Sequence, residues 1–407
     1  MSKKQKLEYW NESLLQGALT KTQAHRYVVF DIDQGGLNNI RLVFEYVAVL
    51  AAITGRTLVL PPRSSWYLLN HGAIPEEHQG GTTKFSELFN VMALNSAIPI
   101  LSTTDFIEQA KDHLKIPQHF HSPNAFSKQH DETGKAWSAW LLDNTEIPGW
   151  NPYDTVICYP TIESAQDGPH MNEIYLDGRQ QVELSPKMNA APVLYFPSNE
   201  KNRSLGPVAT MLATNDASLP TIARRFIKHH IRYNNDIFEL ADEILEHLEL
   251  TNFDALQIRR NDFQYKHTRL SVEEICTNIR SLFDQHLSIY IATDEDREEI
   301  FDQLAIGLKT PNIVCWKDVE AIYPKDIPFA WIGPLEQLIC TRARRFVGTE
   351  LSTFTSYIHR LRGYSQAVDQ NLYFHNQSYS NDVNSVTEQQ LRGREYLIEN
   401  PLFWLEC

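Results

Sequence analysis

Residues 27 to 62 constrain the fold of this chain more than any other stretch. Tyr27-Val28-Val29-Phe30 is a short apolar run that reads as a buried strand. Asp31-Ile32-Asp33-Gln34-Gly35-Gly36 follows as a turn, and Leu37 to Thr54 then predicts a helix. Leu37, Ile40, Val43, Phe44, Val47, Leu50 and Ala51 recur at i, i+3, i+4 and i+7, while Leu42, Tyr46, Val49 and Ile53 make a second face apolar too. A helix apolar on most sides is a buried one. Gly55 stops it, Thr57-Leu58-Val59-Leu60 reads as a second strand, and Pro61-Pro62 ends that strand. Strand, helix and strand in this order imply a parallel pair with a right-handed crossover, and hence an open α/β sheet.

The same alternation returns later in the chain. Helices are predicted at Leu219–His230 and Asp236–Leu250, then a strand at Ala255–Arg259. A helix follows from Ser271 to Phe283, with Ser271 and Glu274 in capping-box spacing. Strands at 288–292, 312–316 and 345–348 alternate with helices at 296–308, 335–341 and 352–361. Residues 63 to about 195 are less periodic, and Val193-Leu194-Tyr195-Phe196 reads as the strand that closes the first half. With 407 residues the chain suits two domains. The division expected is 1–195, carrying an insertion, and 196–407.

Composition narrows the function. The net charge of −14 argues against a nucleic-acid partner, because neutralising phosphates needs a basic surface. A mean hydropathy of −0.37 and the lack of a long apolar run argue against a membrane span. Met1 to Gln16 lacks the apolar segment of a signal peptide, which predicts a cytoplasmic location. Cys158, Cys276, Cys315, Cys340 and Cys407 are scattered and odd in number, so free thiols are expected. His119, His121, His130 and Asp131 fall close together, but a solvated insertion accounts for them better than a metal site.

Ligands of open α/β sheets sit beyond the carboxyl ends of the strands, so the residues following each strand are the candidates. Gly35-Gly36-Leu37-Asn38-Asn39-Ile40-Arg41 offers glycines for close approach, helix-start N–H groups, two amides and a charge. A tight turn capped by Asn38 is the plainer alternative. Gln257 and Arg259 lie two apart on one strand and so point the same way, towards a diphosphate or as part of a surface Arg–Asp pair. Gly348 to Thr355 places hydroxyls at a helix start directly after a strand, either as an anion site or as a Ser N-cap. Thr293-Asp294 supplies a carboxylate after another strand. Arg342, Arg344 and Arg345 form a basic cluster that also reads as a solvated face. No Walker A, G-x-G-x-x-G, G-x-S-x-G or H-E-x-x-H sequence is present.

In this order the four motifs resemble those of the GDP-fucose-dependent O-fucosyltransferases. The resemblance runs through Tyr27–Pro62, the strand from Ala255 to Phe263, Ile289–Asp294 and Val347–Arg362. It implies a GT-B fold, two Rossmann-like α/β domains facing a cleft. It implies an inverting glycosyltransferase that moves fucose, or a related 6-deoxyhexose, from GDP-fucose to an acceptor hydroxyl. It brings no metal and no cofactor beyond the donor. Carried over by position, Arg259 binds the donor diphosphate and Asn39 faces the reacting centre. Gly35, Gly36, Leu37 and Asn38 fall in the donor-contacting loop, and Ser352, Thr353 and Phe354 lie beside the phosphates and nucleotide. Gln257, Ile258 and Asp294 complete the donor side, and Glu336 matches an acidic residue that contacts guanine.

Two departures stand out. The family's His-x-Arg histidine is Gln257 here, which cannot carry a proton, and Gly36 stands where some relatives place a glutamate base. Asp31 and Asp33 are then the nearest carboxylates in sequence. A sugar-nucleotide-binding protein without catalysis and a rhamnosyltransferase are the alternatives. The acceptor, whether glycan, protein or small molecule, is not legible in the motifs.

Overall fold

A computed structural model of the chain describes residues 7–11, 13, 21–32, 35–66, 82–122, 131–145, 155–158, 180–183, 190–198, 212–214, 219–260, 263, 265–323, 327–365, 374 and 395–396. Its strands in chain order are β1 Tyr27–Phe30, β2 Thr57–Leu60, β3 Ile100–Ser102, β4 Thr155–Cys158, β5 Gln180–Glu183 and β6 Val193–Phe196, followed by β7 Leu212–Thr214, β8 Asp254–Ile258, β9 Ile289–Thr293, β10 Ile313–Cys315, β11 Phe346–Val347 and β12 Glu395–Tyr396. They form three four-stranded sheets.

The first sheet has the order β3-β2-β1-β6 and is parallel throughout. The second has the order β10-β9-β8-β11 and is also parallel throughout. These are the two α/β units expected of a GT-B fold. The third, β12-β7-β4-β5, draws strands from both sides of residue 195. It has no counterpart in the sequence reading.

Alternation along the strands sorts side chains into layers. Val28 and Leu58 join the central apolar cluster with helix Leu37–Thr54, whereas Tyr27, Val29 and Val59 pack on Phe106 and Trp137 on the other face. In the second sheet Ala255 and Tyr290 face the central cluster, while Leu256, Ile258 and Ile291 face Ile275 and Leu304. The central cluster is thus shared by both sheets, and the helix Leu37–Thr54 runs through it. This helix is long and apolar enough to cross a membrane by composition, yet 94% of it is buried inside the protein. Gly55 ends it at φ 66°, returning its N–H to Ala51 O.

The strands at 27–30, 57–60 and 193–196 lie where they were expected. The capping box at Ser271 is present, but its helix stops at Ile279 rather than Phe283. Between 63 and 195 the sequence reading left out helices Phe85–Leu88, Val91–Asn95, Thr103–Ala110 and Glu132–Asn144, which are short or have broken apolar spacing. Cys276, Cys315 and Cys340 are free thiols, while Cys407 lies outside the described residues.

Candidate functional site

The carboxyl ends of β8, β9 and β11 converge on one buried network. Gln257 is fully buried, and its Oε1 accepts from Thr355 Oγ1 at 2.7 Å and Thr349 N at 3.2 Å. Thr349 Oγ1 donates to the Gln257 carbonyl at 3.0 Å and accepts from Arg259 N at 2.9 Å. Two threonine hydroxyls therefore stitch the end of β8 to the loop after β11. The Arg259 guanidinium stands 3.2 Å from Asp294 Oδ2, and the other Asp294 oxygen accepts from Arg260 N at 2.7 Å. The Asp294 side chain is fully buried and that of Arg259 is 9% exposed, so this is not a surface pair. A buried carboxylate at this distance pairs with the guanidinium and restricts where it can lie.

Helix Thr353–Tyr364 starts beside this pair. Ser352 caps it, accepting from Thr355 N at 3.5 Å. Gly348 must be glycine here, since a Cβ would stand 2.2 Å from Thr355 Cγ2. Leu351, just before the cap, has φ 61°, a left-handed conformation that a branched side chain adopts at a cost. Between them Glu350 is 4% exposed, and burial pushes its carboxyl up to about 6.

The loop after β1 approaches from the other sheet. Gly36 occupies the N-cap position, so Asn38 is not the cap. A Cβ on Gly35 would meet Asn39 Nδ2 at 2.6 Å, so the group that comes close to this glycine is the Asn39 side chain. Asn39 is half-buried, and Leu37 is buried. Asn38 turns inward, accepting at 2.8 Å from Gln337 Nε2. Gln337 Nε2 also donates to the Phe354 carbonyl at 3.4 Å, and Gln337 Oε1 accepts from Tyr233 Oη at 2.6 Å. One buried amide thereby joins the two helix starts.

Other candidates have structural work instead. Arg41 is fully buried beneath Asn38: its Nε lies 3.1 Å from Glu45 Oε1 and its guanidinium packs on Tyr233 and Tyr357. It adds no charge to the cleft. Glu336 is 2% exposed and accepts from Tyr290 Oη at 3.3 Å, a tyrosine three residues before the end of β9. Arg342 pairs with Asp242 at 2.5 Å and Arg344 with Asp254 at 2.7 Å, which resolves much of the basic cluster into ion pairs. His121 Nε2 faces the Ile116 carbonyl at 2.8 Å, His130 lies outside the described residues, and no group of three potential ligands converges among the described ones.

Asp31 sits at the end of β1 and is 6% exposed. It accepts from Tyr195 Oη at 2.5 Å, Ser198 N at 3.2 Å and Ser138 Oγ at 3.4 Å. Burial pushes its carboxyl up to about 6 against those hydrogen bonds. Asp33 lies outside the described residues.

The structure thus brings Gln257, Arg259, Asp294, Ser352, Thr353 and Phe354 together at the strand ends and ties Asn38 to Phe354 through Gln337, whereas the Ile258 side chain packs into the apolar cluster with Ile275 and Leu304. The sequence reading missed Gln337, and it included Thr349 and Thr355 only as hydroxyls of the candidate anion site at Gly348 to Thr355. The threonines carried a signal, hydroxyls at a strand-to-helix turn, whereas nothing in the spacing of Gln337 showed what it would touch.

Comparison with known proteins agrees with the motifs. The chain is 25% identical over 404 residues to human GDP-fucose protein O-fucosyltransferase 2, covering 87% of each, and 25% identical over 408 residues to the protein of that name from Pan troglodytes. Among solved structures, POFUT1 in complex with GDP-fucose aligns with a TM-score of 0.45 and 17% identity, over 87% of this chain and 100% of that one. NodZ alpha-1,6-fucosyltransferase co-crystallised with GDP aligns with a TM-score of 0.40 and 13% identity, over 84% and 93%. The family model described as GDP-fucose protein O-fucosyltransferase matches residues 27–365, most of the length of this chain, and the chain belongs to that family.

Proposed function

We propose that this glycosyltransferase moves fucose from GDP-fucose to an acceptor hydroxyl with inversion at the anomeric carbon. The observation that carries this reading is Arg259, held by Asp294 and Thr349 at the end of β8 beside the start of helix Thr353–Tyr364. In such a transfer the acceptor oxygen bonds to the anomeric carbon as the bond to the diphosphate breaks, GDP leaves with the electron pair, and the proton of the acceptor hydroxyl passes to the departing diphosphate or to solvent. Negative charge grows on the diphosphate, and donors already fixed in place stabilise it without reorganising. The Arg259 guanidinium and the N–H groups at Thr353 and Phe354 are such donors. Asn39, on the facing loop, holds the acceptor side. No proton transfer is assigned to Asp31, whose carboxyl already takes three donors.

Gln257 is the observation that favours a non-catalytic relative. Its amide oxygen accepts two hydrogen bonds that brace the helix start, a role that needs no proton, so replacing the family's histidine leaves the donor side assembled. Arg259→Ala should lower the rate of GDP release from GDP-fucose by about a hundredfold or more. Unchanged turnover would remove the assignment. A thermal shift with GDP and no turnover by the wild type would support the non-catalytic reading, and a preference for UDP or dTDP over GDP would move the donor towards another 6-deoxyhexose.

A further inference from the structure

We infer that Gln337 is a positioning residue for the transfer step, setting the Asn39 loop in register with the helix start at Thr353 and Phe354. The inference rests on the reading above of what those two loops do.

Gln337 lies on helix Ile332–Arg342 and is fully buried. Its Nε2 donates to Asn38 Oδ1 and the Phe354 carbonyl, and its Oε1 accepts from Tyr233 Oη. A backbone carbonyl only accepts, so the contact with Phe354 fixes which way the amide faces. The three partners come from three separate segments. Asn38 precedes Asn39, the residue facing the reacting centre, and Phe354 follows Thr353 beside the phosphates. The bridge therefore spans the two halves of the reaction.

The two helices that carry these residues are already joined elsewhere. Glu45 takes Arg360 Nη1 at 2.7 Å and Tyr357 Oη at 3.0 Å, two turns further along helix Leu37–Thr54. Losing the Gln337 bonds should therefore loosen the helix starts at the site without parting the helices. A displacement of about 1 Å at a reacting centre can cost on the order of a hundredfold in rate.

The test uses the full chain with GDP-fucose as substrate and GDP as binding probe. Gln337→Glu keeps the shape. When ionised it faces two acceptors with oxygens, and when protonated it regains one donor. Gln337→Met keeps the length and removes both functions. Both variants should lose about tenfold to a hundredfold in kcat while the Kd for GDP stays within about threefold. The activity of Gln337→Glu relative to wild type should climb as the pH is lowered, whereas that of Gln337→Met should not. A kcat within about twofold of wild type in the folded variants would overturn the inference, as would a loss explained wholly by weaker GDP binding. If Gln337→Glu does not fold, the split between kcat and Kd in Gln337→Met decides alone. A wild type inactive on GDP-fucose overturns the functional reading together with this one. An active wild type with unaffected variants overturns this one only.

Discussion

Gln257, Thr349 and Thr355 show how much of the candidate site is backbone support. Each side chain is fully buried, and each hydrogen-bonds the segment that a donor would lie against. Thr355→Val should cost about 1–3 kcal/mol in a urea titration, because the fully buried Gln257 Oε1 loses one of its donors. Gly348→Ala drives a methyl into the same threonine and should cost roughly 1–3 kcal/mol and reduce GDP binding with it. A GDP affinity unaltered in Gly348→Ala would show that the helix start does not depend on this packing. The sequence allowed Gln257 and Arg259 to point together at a ligand. Packing gave them different partners: the arginine side chain pairs with Asp294 and the glutamine faces the threonines, because the loop after β11 covers the strand end.

At the scale of elements, the helices Leu37–Thr54 and Thr353–Tyr364 matter most. They follow β1 and β11, and they meet through Glu45, Arg41, Tyr357 and Arg360. The Glu45 side chain is fully buried between two guanidinium groups. Removing this carboxylate takes away the negative charge that both buried guanidinium groups face, so Glu45→Gln should destabilise the fold by about 3–5 kcal/mol. Urea denaturation measures it, and a change below about 1 kcal/mol would mean that the tyrosine rings around Arg41 suffice. The sequence showed both helices and their strands, but read Arg41 as a cleft residue. Its place on the helix sets it about one turn from the loop, and only the partner helix shows that it faces inward.

For the whole molecule, pH dependence of stability follows from three buried groups with opposite signs. The carboxyls of Asp31 and Glu350 are each raised to about 6 by burial, so the folded chain holds protons there that the unfolded chain has released. Stability from these groups is present at low pH and is lost as pH rises from about 4 to 6. His229 works the other way. Burial lowers it to about 4, and its Nδ1 accepts from Asn11 N at 2.9 Å. Its contribution is present above about 6.5 and is lost as pH falls towards 4. Asp31→Asn removes one group of the first kind. Its stability relative to wild type should rise by roughly 2–3 kcal/mol between pH 4 and pH 7. A difference independent of pH would show that the Asp31 carboxyl titrates at its ordinary value.

The sequence by itself determined the parallel α/β units, their strands and the family, because hydrophobic period and the residues after each strand are local properties. It also placed Arg259, Asn39 and the Ser352 cap on strand-to-helix turns, where a parallel sheet puts its ligands. The tertiary structure decided which of the candidates face the cleft. Asn38, Arg41 and Glu336 turn into the core, since burying a polar group requires partners and theirs (Gln337, Tyr357 and Tyr290) come from elsewhere in the chain. Spacing along a sequence does not report which distant side chain will answer a buried donor, and the joining of the two helix starts through Gln337 exists only once the sheets have packed.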